Sequence, residues 1–257
     1  MIKIENVKVT GFEEALRGIR NSWNSWSRSD SYSTYIEDPE TLNIAEFNYI
    51  LGDNDLELMR SLSSNGGSHA KFRRMIVVWA DVTAPLYWWK EYDTYKVGTV
   101  ANACSTMHTI ANKEFEAEDF SCEHLKNEWD SDVGCSPLEF LDVICYALNK
   151  YRKLYLESGD KMWWWQIIQT LPSSYNQKRT VMLNYEVLAN IRGQRRNHKL
   201  DEWQQFCDWI ETLPYSDRII FESEGNRIEN LYADDCGAAK NEGADSKEPQ
   251  QLEEKDS

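Results

Sequence analysis

Residues 191–199, IRGQRRNHK, crowd four cations and a histidine into nine positions of a chain whose formal net charge is −15. A guanidinium such as that of Arg195 can grip a phosphate through two parallel hydrogen bonds. The plainer reading is a solvated helix end, where cations also offset the helix dipole. Cys104 and His108 lie four apart, with Cys122-Glu123-His124 and Cys135 further on. Zinc sites use tighter pairs, so buried thiols and a hydrogen-bonded histidine are favoured and no metal is expected. A Cys104–His108 nucleophile would need a third group to orient the imidazole, and none stands out. Trp88, Trp89, Trp163, Trp164 and Trp165 offer rings that could stack a ligand. Consecutive rings on helices more often fill a core or a subunit interface. They also cannot all be hidden against one neighbour, which predicts an oligomer. The glycine fingerprint for dinucleotides, the phosphate loop and the H-E-x-x-H zinc motif are all missing.

With 257 residues, 41% of them hydrophobic, the chain can build a sizeable core. Its acid excess repels a phosphate backbone, so no nucleic-acid partner is expected, although one small anion in a local basic pocket is allowed. Cysteines at 104, 122, 135, 145, 207 and 236 form no C-x-x-C pair. Reduced thiols in a cytoplasmic setting fit this pattern best. The opening MIKIENVKVT alternates rather than forming an apolar run, so no secretory leader is expected. Nothing approaches the roughly 18 apolar residues of a membrane span.

The elements that must position these groups follow from periodicity. Ile2, Ile4, Val7 and Val9 predict a first strand with one slip of phase. Thr10-Gly11-Phe12-Glu13 resembles a capping box, opening a helix with Phe12, Leu16, Ile19 and Trp23 on one face. Residues 27–34 read as a polar loop and 42–62 as a short helix. SLSSNGGSHA precedes a strong strand over 75–82. Thr83 is placed to cap a helix reaching about Tyr95, with Pro85 in its first turn. Residues 115–135 are acidic and irregular. Ser136-Pro137 opens a long helix to about Leu156, with Leu141, Ile144, Leu148 and Tyr151 on one stripe. Helices are further predicted over 161–170, 180–196 and 200–212. Leu200, Trp203, Cys207 and Ile210 share a face of the last. From Ala233 the chain has almost no bulk and reads as a disordered acidic tail after a single domain over 1–232. Strands early and helices late make an α+β pattern, with a mixed sheet in the first half and a helix-rich second half.

Two separated stretches resemble the flavin-dependent thymidylate synthases. In that family a strand enters an Ala-Pro helix, followed by an Arg-His-Arg triplet and a small-residue pattern ending in Ser-x-Arg. Here the strand is followed by Ala84-Pro85-Leu86-Tyr87, the triplet positions hold Thr94-Tyr95-Lys96, and Thr99, Asn102 and Ser105-Thr106-Met107 come next. The second stretch has Leu171-Pro172, a turn, then Asn184, Asn190 and Arg195 in the family's spacing, and a Trp-containing helix EWQQFCDWIE. Together they cover roughly residues 68–212.

The resemblance implies a homotetramer with flavin adenine dinucleotide and dUMP in clefts shared between subunits. It also implies hydride and one-carbon transfer to uracil. It places nucleotide contacts at Glu91, Thr94, Lys96, Ser105 and Arg195, and cofactor contacts at Tyr95, Asn102, Asn184, Asn190 and His198. Residues 98–105 would be a loop whose small side chains let the backbone approach a ligand. No catalytic residue is assigned. The departures are concrete. Thr94, Met107 and Ile168 stand where the family has arginines, Asp81 replaces a flavin-contacting histidine, and Ala103 replaces a glutamate. Doing without the hydrogen bonds of three arginines, with no replacement, would cost on the order of 4–9 kcal/mol, against about 8 kcal/mol for micromolar binding. The usual pose therefore needs Lys96, Arg192, Arg196 or another cation to take over. Two functions follow. One is a divergent flavin-assisted enzyme acting on a pyrimidine nucleotide. The other is a protein on the same fold that binds or sequesters a nucleotide without chemistry.

Overall fold

Strand β4, Val77–Pro85, is the axis of the molecule. Val78, Ala80, Val82 and Ala84 point to one face and are fully buried, whereas Trp79 on the other face is exposed, as a period of two demands. A computed structural model describes residues 1–37 and 44–221 of this protein. The expected tail and residues 42–43 of the expected early helix lie outside the described residues. All described residues belong to one unit, Met1–Ser223.

β4 is flanked by β1 (Lys3–Thr10) and β6 (Asn176–Asn184), and β5 (Val100–Ala103) closes the order β1-β4-β6-β5. Every pairing is antiparallel, so the sheet is not the mixed one expected. β2 (Tyr32–Glu37) and β3 (Ile44–Ile50) form a separate antiparallel pair. The phase slip in β1 is a bulge. The register with β4 shifts between Glu5 and Lys8, and Asn6 adopts φ 53° there.

Helix α1, Phe12–Arg20, starts differently from the expected capping box. Gly11 is the N-cap at φ 98°, and no side chain caps the helix. A Cβ at Gly11 would lie 2.1 Å from the Met75 carbonyl oxygen, so only glycine fits. Phe12 and Leu16 are buried, but Trp23 lies past the helix end and is 87% exposed. Residues 44–50 are strand rather than helix, and α2 covers Asp53–Asn65. The polar segment 27–34 contains the start of β2.

Thr83 is not a cap, because β4 runs on through it. α3 covers Leu86–Tyr92 with Pro85 as N-cap, three residues short of the expected end. The small-residue segment is not a loop but carries the edge strand β5, followed by the short α4, Thr106–Thr109. α5 (Pro137–Ser158) and α6 (Lys161–Thr170) match expectation. Ser136 Oγ accepts from the Glu139 N–H at 3.1 Å, and Glu139 answers at the Ser136 N–H at 2.8 Å. The predicted helix over 180–196 is instead β6 followed by α7, Tyr185–Arg195. Val181 and Leu183 alternate into the core, and Asn184 caps α7 by accepting from the Val187 N–H at 3.0 Å. α8, Asp201–Glu211, buries Trp203, Cys207 and Ile210 as its spacing predicted. α9 is Ser216–Ile219.

α1, α3, α7 and α8 cover the buried face of the sheet in one core, and α5 and α6 close a second core over Phe115 and Phe120. Trp88 is the hub of the first. Its ring centroid lies 4.7 Å from Trp203, 5.2 Å from Tyr92 and 5.4 Å from Phe206. Trp89 turns the other way, donating from Nε1 to the Gln177 carbonyl at 2.9 Å under the Arg179 guanidinium. Two neighbours of the same chain therefore bury these consecutive rings, and they need no second subunit.

Candidate functional site

α3 and α7 present Glu91 and Arg195 to each other across a gap backed by α8. The packing of Trp88 and Trp89 fixes the rotation of α3, which leaves Lys90 and Glu91 facing outward. Arg195 closes α7, a helix pinned by buried Tyr185, Leu188 and Ile191. Its Nη1 donates to Glu91 Oε2 at 2.9 Å, and its Nε donates to the Tyr95 hydroxyl at 3.0 Å. Its guanidinium lies 4.9 Å over the Trp203 ring. Trp203 Nε1 donates to the same Glu91 oxygen at 3.0 Å, and His198 Nε2 is 3.5 Å from it. The Tyr95 hydroxyl in turn donates a hydrogen bond to Gln194 Oε1 at 3.0 Å. A cavity of about 570 Å³ opens on this cluster, lined by Leu86, Tyr87, Lys90, Glu91, Thr94, Ser173 and Arg195. Tyr87 donates to Glu202, and burial together with that carboxylate pushes its hydroxyl pKa far above the usual range.

Of the residues expected to touch a nucleotide, the structure brings Glu91, Thr94 and Arg195 to this one cavity. The Thr94 hydroxyl is turned back to the Glu91 carbonyl at 2.7 Å. Tyr95 and His198, expected at the cofactor, belong to the Arg195 cluster instead. Lys96, Asn102 and Asn190 are exposed, and Ser105 precedes α4 without capping it through its side chain. Asn184 is spent on its cap and lies against Gly98. That glycine has φ 78°, and a Cβ on it would come 2.7 Å from Asn184 Nδ2. Within one chain the five expected cofactor residues therefore form no single cradle. Asp81 is engaged inside the sheet. Hydrogen bonds from Thr180 at 2.6 Å and Asn6 at 2.9 Å hold its carboxyl below the ordinary range.

Among the described residues no thiol is hydrogen-bonded to an imidazole. Cys104 Sγ faces the Thr109 hydroxyl at 3.6 Å, and His124 Nε2 lies 2.9 Å from Asp201 Oδ2. Burial pushes the Cys207 thiol up to about 11, which suits a packing residue rather than a nucleophile. Among the described residues no three His, Cys, Asp or Glu side chains gather as metal ligands.

No protein-family model and no curated protein matches the chain. Solved structures do. A thymidylate synthase X from Helicobacter pylori with FAD and dUMP aligns over 86% of this chain and 98% of its own, at TM-score 0.59 and 19% identity. A second structure from the same organism, also with FAD and dUMP, gives 0.55 at 19% identity over 85% and 98%. A UMP/dUMP methylase from Streptomyces cacaoi bound with 5-Br UMP gives 0.54 at 13% identity over 84% and 92%. The fold is that of the flavin-dependent thymidylate synthases.

On this thymidylate synthase fold the chain also carries a larger cavity, about 1170 Å³, between α1, α2 and the 3-10 helix His69–Met75. Arg28, His69, Lys71 and Arg74 line it, with the exposed indole of Trp23 at its rim. Among the described residues, Arg28, Lys71 and Arg74 form no ion pair, whereas Arg20 at the cavity wall is paired with Asp55. Sequence reasoning missed this site, although His69-Ala-Lys71-Phe-Arg73-Arg74 is a basic run comparable to 191–199. No helix of the described chain is long and apolar enough to cross a membrane.

Proposed function

We propose that this protein binds a pyrimidine nucleotide in the cavity between α3 and α7, with Arg195 as the phosphate contact and Lys90 as the supporting cation. The observation that carries the reading is the guanidinium of Arg195. It is held on an aromatic platform at the mouth of a cavity that Thr94 and Glu91 also line. The fold's neighbours with dUMP or 5-Br UMP bound supply the ligand class. Thr94 and Met107 bring no charge to replace the family's arginines, which favours binding or sequestration over catalysis.

A second reading, flavin-assisted transfer of a one-carbon unit or hydride to the nucleotide, draws support from the larger cavity. Its size and its Arg28, His69, Lys71 and Arg74 side chains suit the pyrophosphate of FAD, and Trp23 offers a ring to stack. Bound flavin would supply the redox chemistry; these residues would only hold and orient it. Asn102, Asn184 and Asn190 then serve it only if a second copy completes the cradle. Phe140, Val143 and Tyr146 on α5 are more than half exposed and suit burial in the proposed homotetramer.

One measurement tests the nucleotide site that both readings share, and a second separates them. Saturating dUMP, at about 100 times its Kd, should stabilise the protein by about 2.7 kcal/mol. That raises the melting point by about 5–10 °C, and Arg195→Ala should abolish the rise. An equal shift in the variant would place the ligand elsewhere. Yellow protein with flavin bands near one per chain supports the enzyme; colourless protein that takes up no added FAD supports the binder.

A further inference from the structure

The Arg195 cluster is already organised around an anion, and that anion is Glu91. One carboxylate oxygen, Oε2, receives the Arg195 guanidinium at 2.9 Å and the Trp203 indole N–H at 3.0 Å, with His198 Nε2 at 3.5 Å. These donors converge on one point at the cavity wall, where a phosphate oxygen would otherwise sit. We propose that the Glu91 carboxylate is a built-in competitor for anions at Arg195 and so decides which ligands the cavity admits. The proposal takes its ligand from the nucleotide reading above but its geometry from the Glu91 cluster alone.

Two properties make Glu91 a competitor rather than a fixed strut. Its side chain is 34% exposed, so it has room to rotate off the guanidinium, whereas Arg195 is 21% exposed and tethered by Tyr95 and Trp203. The ion pair also joins α3 to α7 near the surface, where such pairs add little stability and are open to exchange. An arriving phosphate meets a carboxylate in contact with the group it seeks, and like charges so placed oppose binding. A nucleoside without phosphate meets no such opposition. Glu91 thus lowers the preference for nucleotide over nucleoside that Arg195 and Lys90 would otherwise impose.

The test is calorimetric titration of the full chain with dUMP, deoxyuridine and inorganic pyrophosphate. Glu91→Gln removes the charge and keeps an acceptor for Trp203; Glu91→Ala repeats the test without relying on the amide; Glu91→Asp keeps the charge. Both neutral variants should bind dUMP at least about tenfold more tightly than the native protein. The gain should be larger for dUMP than for deoxyuridine, Glu91→Asp should gain nothing, and a second change, Arg195→Ala, should erase the gain. If no variant takes up a pyrimidine yet the neutral variants gain Arg195-dependent pyrophosphate binding, the competitor role stands and the nucleotide reading falls. If the neutral variants bind dUMP and pyrophosphate no better than the native protein, the competitor role is overturned, whichever ligand the native cavity holds.

Discussion

Replacing Asp55 with alanine should destabilise the protein by about 3–5 kcal/mol, because it strands a buried guanidinium. Asp55 is fully buried on α2 and Arg20 nearly so on α1. Oδ1 accepts from Arg20 Nε at 2.7 Å and from its Nη2, while Arg20 Nη1 reaches the Ser25 carbonyl at 3.2 Å. Oδ2 accepts from the hydroxyls of Ser29 and Ser31, each at 2.6 Å, and from the N–H groups of Asp30 and Ser31, each at 3.1 Å. One carboxylate therefore ties α1 and α2 to the strand-entry segment 29–31, along one wall of the larger cavity. Urea unfolding at 25 °C should show the loss, and a change under about 1 kcal/mol would refute a structural role of this size.

The pH dependence has a definite sign. Burial pushes the Asp55 carboxyl upward as the largest single influence, but the bonds from Ser29, Ser31 and Arg20 and the Arg20 charge together outweigh it, and its pKa falls below the ordinary value. The unfolded chain then binds more protons over that interval. The stabilisation is complete above the unfolded carboxyl value of about 3.9 and is lost as pH falls through the folded one. The variant should lose stability less steeply than the native protein below about pH 4.

Trp203→Ala should cost a similar amount, about 3–5 kcal/mol, and also disable the site. Trp203 is fully buried, packs on Trp88 and Phe206, carries the Arg195 guanidinium and donates to Glu91. The change opens a cavity at the hub of the first core and removes the platform that orients Arg195. Trp203→Phe separates the two effects. It keeps most of the packing and loses the indole N–H, so its stability loss should be about 1–2 kcal/mol. Paired denaturation curves decide this; equal losses for both variants would mean that packing around the ring matters less than the hydrogen bond.

The parts legible in the sequence are those set by nearby residues. Ser136 and Glu139 fix the start of α5 through reciprocal bonds within four positions, with Pro137 in the first turn, and the apolar stripe of α8 fixes its buried face. β6 was missed because its partner, β4, is about a hundred residues away. The short alternation of Val181 and Leu183 becomes a strand only when paired with Val78 and Ala80. Likewise Arg195 stood out as a cation, but its tie to Glu91, 104 positions earlier, depends on how the tryptophans rotate α3. The basic run over 69–74 is visible in the sequence, but the larger cavity forms only where the fold brings it against α1 and α2.

The most direct test of the central claim is a crystal structure of the protein grown with dUMP. The phosphate is expected within hydrogen-bonding distance of Arg195, beside Lys90, with the Glu91 carboxylate turned away from the guanidinium. A nucleotide bound elsewhere while the Glu91–Arg195 pair stays closed would contradict the claim.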